Sequence, residues 1–152
     1  MSAISNDRLV GTWKLLSAST RTSSGERDGA PYGVDPVGFL TYTADGRVTA
    51  LISYGGRKRL SILSAGGGPQ VQIEEQAEAF KTFLAYAGRY TLTGDEVIHH
   101  VEISSIQNYV DKDLVRTLKF EDESIILVTP PTSVNGKIQT VELVWQRVLA
   151  GS

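Results

Sequence analysis

Residues 96–104 read EVIHHVEIS. Side chains two apart on a β-strand share a face. In that period Val97, His99, Val101 and Ile103 form an apolar set, and Ile98, His100, Glu102 and Ser104 a more polar one. The stretch is predicted to be a strand with one buried face. Its two histidines, the only ones in the chain, then point in opposite directions, His99 inward and His100 outward.

Outward from this stretch, similar alternating runs recur, separated by Gly, Asp, Asn and Pro. Eight strands are predicted, near Val10–Arg21, Val37–Thr43, Arg47–Tyr54, Arg89–Thr93, Glu96–Gln107, Asp113–Glu121, Ser124–Pro130 and Lys137–Val148. Asp45-Gly46 and Gly94-Asp95 are two-residue hairpin signals, and EDES and SVNGK are short polar turns. Hairpin-linked strands in this number suit a sheet closed on itself, because closure removes exposed edges. A barrel of eight strands holds one small ligand or a plug of side chains. A two-sheet sandwich is the rival arrangement, and periodicity does not separate the two.

One segment departs from the β pattern. IEEQAEAFKTFLAYAG places Ile73, Ala77, Phe80, Leu84 and Ala87 on one helical stripe, with Glu74 and Glu75 in the first turn and Gly88 as a stop. An amphipathic helix over about residues 73–87 is expected between the third and fourth strands. Its stripe is read as packing surface, with Phe83 and Tyr86, off the stripe, as lid contacts. The connection before it, GGRKRLSILSAGGGPQ, carries five of the chain's 15 glycines and suits a mobile link that forms a lid with the helix. Within it Arg57, Lys58 and Arg59 are either solvated or steer an anionic ligand. No Walker pattern follows the glycines.

The chain has 152 residues, enough for one domain with its own core, and the whole of residues 1–152 is read as that domain. Lys and Arg number 15 and Asp and Glu 17, a net charge of -2, which lacks the basic surplus of a nucleic-acid or membrane-surface binder. No cysteine is present, so disulfides, thiolate catalysis and the usual structural zinc sites are excluded. The N-terminal MSAISNDRLVG is not apolar enough for a secretory signal, and no run is long and apolar enough for a membrane span. A soluble, cytoplasmic protein is expected, with a homodimer left open.

The first strand contains VGTWKLL, with Gly11 and Trp13, and the last contains VELVWQRV, ending on Arg147. This resembles the lipocalin arrangement, in which a Gly-x-Trp on the first strand packs its indole against an arginine of the last strand at the closed end of the barrel. DPVGFLTYTADGRV, GRYTL, VIHHVEIS, VRTLKF and LVWQRV follow in an order similar to that of microbial lipocalin-like proteins. The resemblance covers nearly the whole chain. It implies a calycin-type barrel with a ligand cavity, and Gly11, Trp13 and Arg147 as a structural cap. It implies no particular activity. The helix precedes the fourth strand instead of following the last, unlike secreted lipocalins.

The fold expected is therefore all-β, an eight-stranded antiparallel up-and-down lipocalin-like barrel with one inserted helix. In LVRTLKFE, Leu114, Arg116, Leu118 and Phe120 share the apolar face, and Arg116 is expected opposite Val101 or Ile103, within diagonal reach of His99. Tyr42, Tyr54 and Tyr90 fall inward by the same alternation, as do Ser17 and Ser19, and Trp145 either floors the pocket or joins the cap. His99, Arg116 and Tyr42 are the candidate catalytic set. Tyr54, Tyr90, Trp145, Phe83 and Leu118 are candidate ligand contacts.

Adjacent strand side chains point apart, so His99 and His100 do not share a metal ion, and no metal site is expected. Neither a nucleophile elbow nor a Rossmann fingerprint occurs, and no cofactor is called for. A buried His99 kept neutral suits proton transfer, and Arg116 suits a carboxylate or an enolate oxygen. These parts point to one hydrophobic small molecule, polyketide- or terpenoid-like, isomerised, cyclised or dehydrated without a cofactor. A non-catalytic carrier or sensor built on the same cavity is the alternative. A third reading has His99, Arg116 and the tyrosines satisfying one another in a filled barrel.

Overall fold

The computed structural model describes residues 6–60 and 73–151. A short helix α1 (Asn6–Leu9) leads into β1 (Gly11–Thr22), β2 (Arg27–Gly29), β3 (Val37–Tyr42) and β4 (Arg47–Ser53). Helix α2 (Ile73–Lys81) precedes β5 (Phe83–Thr93) and β6 (Glu96–Ser104). After a 3-10 turn at Gln107–Tyr109 come β7 (Asp113–Glu121), β8 (Ser124–Val128), β9 (Thr132–Val134) and β10 (Lys137–Arg147). Eight antiparallel strands, in the order β1-β3-β4-β5-β6-β7-β8-β10, close on themselves because β10 also pairs with β1. The architecture is a barrel and not a sandwich. The three-residue β2 and β9 extend it beside β1 and β10. They are too short to show a period in sequence.

Alternating chain direction sorts the connections between two ends. The turns at residues 43–46, 94–95 and 122–123 share one end with the start of β1 and the finish of β10. At this closed end Trp13 Nε1 donates a 2.9 Å hydrogen bond to the Leu9 carbonyl. The Arg147 guanidinium lies 4.2 Å from the centre of the Trp13 ring and donates to the carbonyls of Val10 and Arg8. Gly11, at φ +136, explains the Gly-x-Trp pattern, since a Cβ there would sit 2.7 Å from Arg147 Nη1. The longer connections gather at the opposite, open end.

Inward side chains of every barrel strand build one core that includes Leu40, Val48, Val97, Val101, Leu118, Ile125 and Leu143. Each buried aliphatic side chain contributes about 1.5–3 kcal/mol relative to exposure. Among the described residues no helix is long and apolar enough to cross a membrane.

Two bulges overturn parts of the simple alternation. The β5–β6 register runs Gly88 to Val101 and then Ala87 to Ile103, so Glu102 is an extra residue. Beyond it the faces exchange, and Ile103, expected inside, is 67% exposed. Gly88 makes the close approach feasible, for a Cβ there would sit 1.8 Å from the His100 carbonyl oxygen. In β1, Leu15 pairs with Trp145 and Ser17 with Val144, leaving Leu16 as the extra residue. Ala18 and Thr20, opposite Leu143 and Val141, therefore take the inward face expected for Ser17 and Ser19, although Ser19, opposite Glu142, is still buried.

The inserted helix is shorter than expected and ends at Lys81. Residues from Phe83 onward are drawn into β5, where Phe83–Arg89 pairs along the whole of β4. That ladder outweighs the helical tendency of the alanines. No residue of α2 is buried, and Ile73 and Phe80 remain exposed, so its stripe is not core packing. Gly88 is consequently a strand residue and not a helix stop. Gly66–Gly68 of the expected lid lie outside the described residues. The register of β7 also differs: Arg116 is opposite Val97, and Leu114 is opposite His99. The 3-10 turn, with mutual backbone hydrogen bonds of Val101 to Asp111 and Lys112, absorbs the residues that a tight hairpin would have paired.

Candidate functional site

The expected pair of histidines is divided by the strand. On the outer surface, His100 Nδ1 is 2.8 Å from Asp113 and its Nε2 is 3.1 Å from the Thr91 hydroxyl. His99, only 1% exposed, sits inside. Its Nε2 is 2.6 Å from the Tyr42 hydroxyl and its Nδ1 is 2.7 Å from the Tyr86 hydroxyl. A neutral imidazole offers one N–H and one lone pair. One tyrosine therefore accepts from His99 and the other donates to it, giving a continuous chain from β3 through β6 to β5.

Burial, then the charge of Arg116, then that of His100 hold the His99 pKa down to about 3, so the ring is neutral near pH 7. Burial is also the largest cause raising Tyr42 and Tyr86, while Arg116 pulls both in the opposite direction. The arrangement conducts hydrogen bonding between two neutral phenols. It does not offer a free imidazole base, since both ring nitrogens are occupied.

Beside His99 lies a cavity of about 200 Å³. His99, Tyr86 and Arg116 supply its polar side, and Leu40, Ile52, Leu127, Leu143 and Trp145 much of its apolar wall. Tyr32, Tyr109 and Thr129, from connections at the open end, line it as well. Burial and the nearby Tyr54 push the Tyr32 hydroxyl up to about 12, and Arg116 partly offsets this. Arg116 reaches the cavity from β7, half-buried, and its Nη1 donates 2.9 Å to the carbonyl of Val115. Among the described residues no carboxylate pairs with it.

The structure brings His99, Arg116 and Trp145 to the cavity and arranges the other sequence candidates around it. Tyr42 is fully buried behind His99 and reaches the lining only through it. Tyr90 packs edge-on against Tyr42 and donates 2.8 Å to the Thr43 carbonyl, toward the closed end. Leu118 is core beyond the lining. Tyr54 stacks edge-on with Tyr32 at a centroid separation of 5.1 Å. Phe83 lies instead on a separate outer groove with Arg57, Ala79, Phe80 and Ser105. Arg57 is held there by Thr82 and the Ala79 carbonyl.

Tyr32 and Tyr109 are not expected in the cavity, and Tyr86, expected as a lid contact from a helix, lines it from β5 instead. Tyr86 was legible: Leu84, Tyr86, Gly88, Tyr90 and Leu92 keep a period of two, which the competing helical stripe obscured. Tyr32 and Tyr109 lie in connections, where no period places a side chain. Trp145 adds one further feature, an indole Nε1 that is buried without a hydrogen-bond partner among the described residues.

An eight-stranded antiparallel barrel, closed by a Trp–Arg stack at one end and hollow toward the other, has the lipocalin-like architecture. The lipocalin-like domain family model matches residues 10–148, and the chain belongs to that family. No match was found among curated proteins or among solved structures.

Proposed function

We propose that the barrel binds one small, mostly hydrophobic molecule in the cavity beside His99. The observation that carries this reading is the cavity itself: about 200 Å³ with a largely aliphatic and aromatic wall and polar groups on one side. Ligand sites share that composition, apolar walls with a few placed polar groups that fix orientation. A polyketide- or terpenoid-derived body of about one ring fits the volume, and anything larger has to extend through the open end. A cytoplasmic location and a single domain belong to the same proposal.

A carrier or sensor role is favoured by the state of His99. With both ring nitrogens occupied and its pKa near 3, the imidazole is a weak base at neutral pH. A catalytic reading is supported by a different observation, the Tyr42–His99–Tyr86 chain beside Arg116. With the Nδ1–H of His99 donating to the Tyr86 oxygen, the Tyr86 hydroxyl would be free to donate a hydrogen bond to a ligand carbonyl oxygen, and Arg116 would place a positive charge beside that oxygen.

Cavity filling tests the binding reading. Toluene and p-cresol at saturation should raise the melting temperature of the wild-type protein. Ala50→Phe, which directs a ring into the cavity from β4, should abolish the rise. A wild-type melting temperature indifferent to toluene, p-cresol and benzoate alike overturns the proposal. Turnover of a bound carbonyl compound, lost in Tyr86→Phe with affinity retained, would decide for catalysis over carriage.

A further inference from the structure

We infer that the ligand is a small organic monoanion, a carboxylate carried on one aromatic ring or a short alkyl chain, with its carboxylate on Arg116. This rests on the binding reading above and adds the charge and size of the occupant.

Charge comes first. Arg116 is permanently cationic, and none of the described residues that line the cavity is Asp or Glu. Its one protein hydrogen bond goes to a neutral carbonyl, leaving the other guanidinium N–H groups without a protein partner among the described residues. His99, held neutral, adds no second charge. The cavity thus presents one uncompensated positive charge beside an apolar wall, which repels cations and is met by a neutral ligand with hydrogen-bond acceptors but no opposite charge. A carboxylate matches it with two parallel N–H···O bonds. Tyr32, Tyr86 and Tyr109 line the same cavity, and a phenol hydroxyl is a donor that an anionic oxygen can accept from.

Size follows from the volume. An apolar cavity of ~150 Å³ takes a benzene ring. The space here, about 200 Å³, admits that ring with a carboxylate attached, or a short alkyl acid of similar bulk. Trp145, Leu127 and Leu143 supply the wall for the apolar body.

Isothermal titration calorimetry of the full chain at pH 7 with benzoate, benzamide and toluene tests the inference. Benzoate should bind at least about tenfold more tightly than the isosteric benzamide, the difference expected for a charge-assisted hydrogen-bonded pair. Arg116→Gln and Arg116→Met should erase that preference. Equal binding of acid and amide, or binding of toluene without benzoate, overturns the monoanion and leaves the hydrophobic cavity standing. A preference for benzoate that survives both Arg116 substitutions overturns Arg116 as the anchor. Failure of all three probes overturns this inference and the binding reading together.

Discussion

The Tyr86 hydroxyl lies 2.7 Å from Nδ1 of His99, joining a residue expected in a helix to the strand histidine that faces the cavity. Tyr42 completes the chain from the other side of the ring, at 2.6 Å. The two phenols are not equivalent. Tyr86 lines the cavity, whereas Tyr42 is sealed behind the imidazole.

That asymmetry should appear in stability. Tyr42→Phe leaves a fully buried ring nitrogen unpaired and should destabilise the fold by about 1–3 kcal/mol. Tyr86→Phe should cost less, about 1 kcal/mol, because water in the cavity can replace the lost hydroxyl. Urea denaturation of the two variants beside the wild type measures both. Equal losses would show that the cavity does not hydrate His99.

The buried imidazole also sets a pH dependence. His99 takes up a proton near 6.5 when unfolded but only near 3 when folded, so between these values the unfolded chain binds more protons. Stability should be level above about pH 6.5 and fall as the pH drops toward 3, by up to ~1.4 kcal/mol per unit from this group. His99→Asn should flatten the slope between pH 6.5 and 5, a range above the usual carboxylate titrations. Chemical denaturation across that range gives the slope, and NMR of the His99 ring should report a neutral imidazole throughout it. A ring that protonates near pH 6 would contradict the account.

Gly88 carries the bulge that sets the face of β6. Gly88→Ala forces a methyl against the His100 carbonyl, a backbone atom unable to swing aside, and should cost about 3 kcal/mol or more. Its melting temperature by circular dichroism should fall sharply. Ala87→Gly, on the neighbouring residue, should show only the modest loss of a glycine in a strand.

At the closed end, Arg147→Met removes the stack on Trp13 and two hydrogen bonds to carbonyls. A loss of about 2–4 kcal/mol is expected from the cation–π contact and the charge-assisted bonds together. Arg147→Lys should not restore it, since an ammonium lacks the planar fork that stacks and donates in two directions. Guanidinium denaturation of both variants gives the comparison, and full rescue by lysine would reduce the role of Arg147 to its charge.

Much of this is legible in the sequence. Period-two alternation separates His99 from His100 and turns Arg116 inward, because each sits in a run where one face is clearly apolar. Trp13 and Arg147, far apart in sequence, were joined by a resemblance and not by any period. Three things were not written locally. Phe83–Ala87 satisfies a helical stripe and a strand alternation equally well, and only the β4 ladder decides between them. The extra residues Leu16 and Glu102 exchange faces without a composition signal of their own. The pairing of Arg116 with Val97 depends on how the 105–112 connection folds, which side-chain patterning does not encode. Tyr32 and Tyr109 reach the cavity from connections for the same reason.

The central claim is that the cavity beside His99 and Arg116 holds one small molecule. Native mass spectrometry of freshly purified protein, with Ala50→Phe prepared in parallel, tests it most directly. The account predicts a population of wild-type chains carrying a single small ligand, removable by gentle activation, and bare chains only in the cavity-filled variant. Wild-type protein that is bare, and stays bare after incubation with benzoate, p-cresol or toluene, would contradict it.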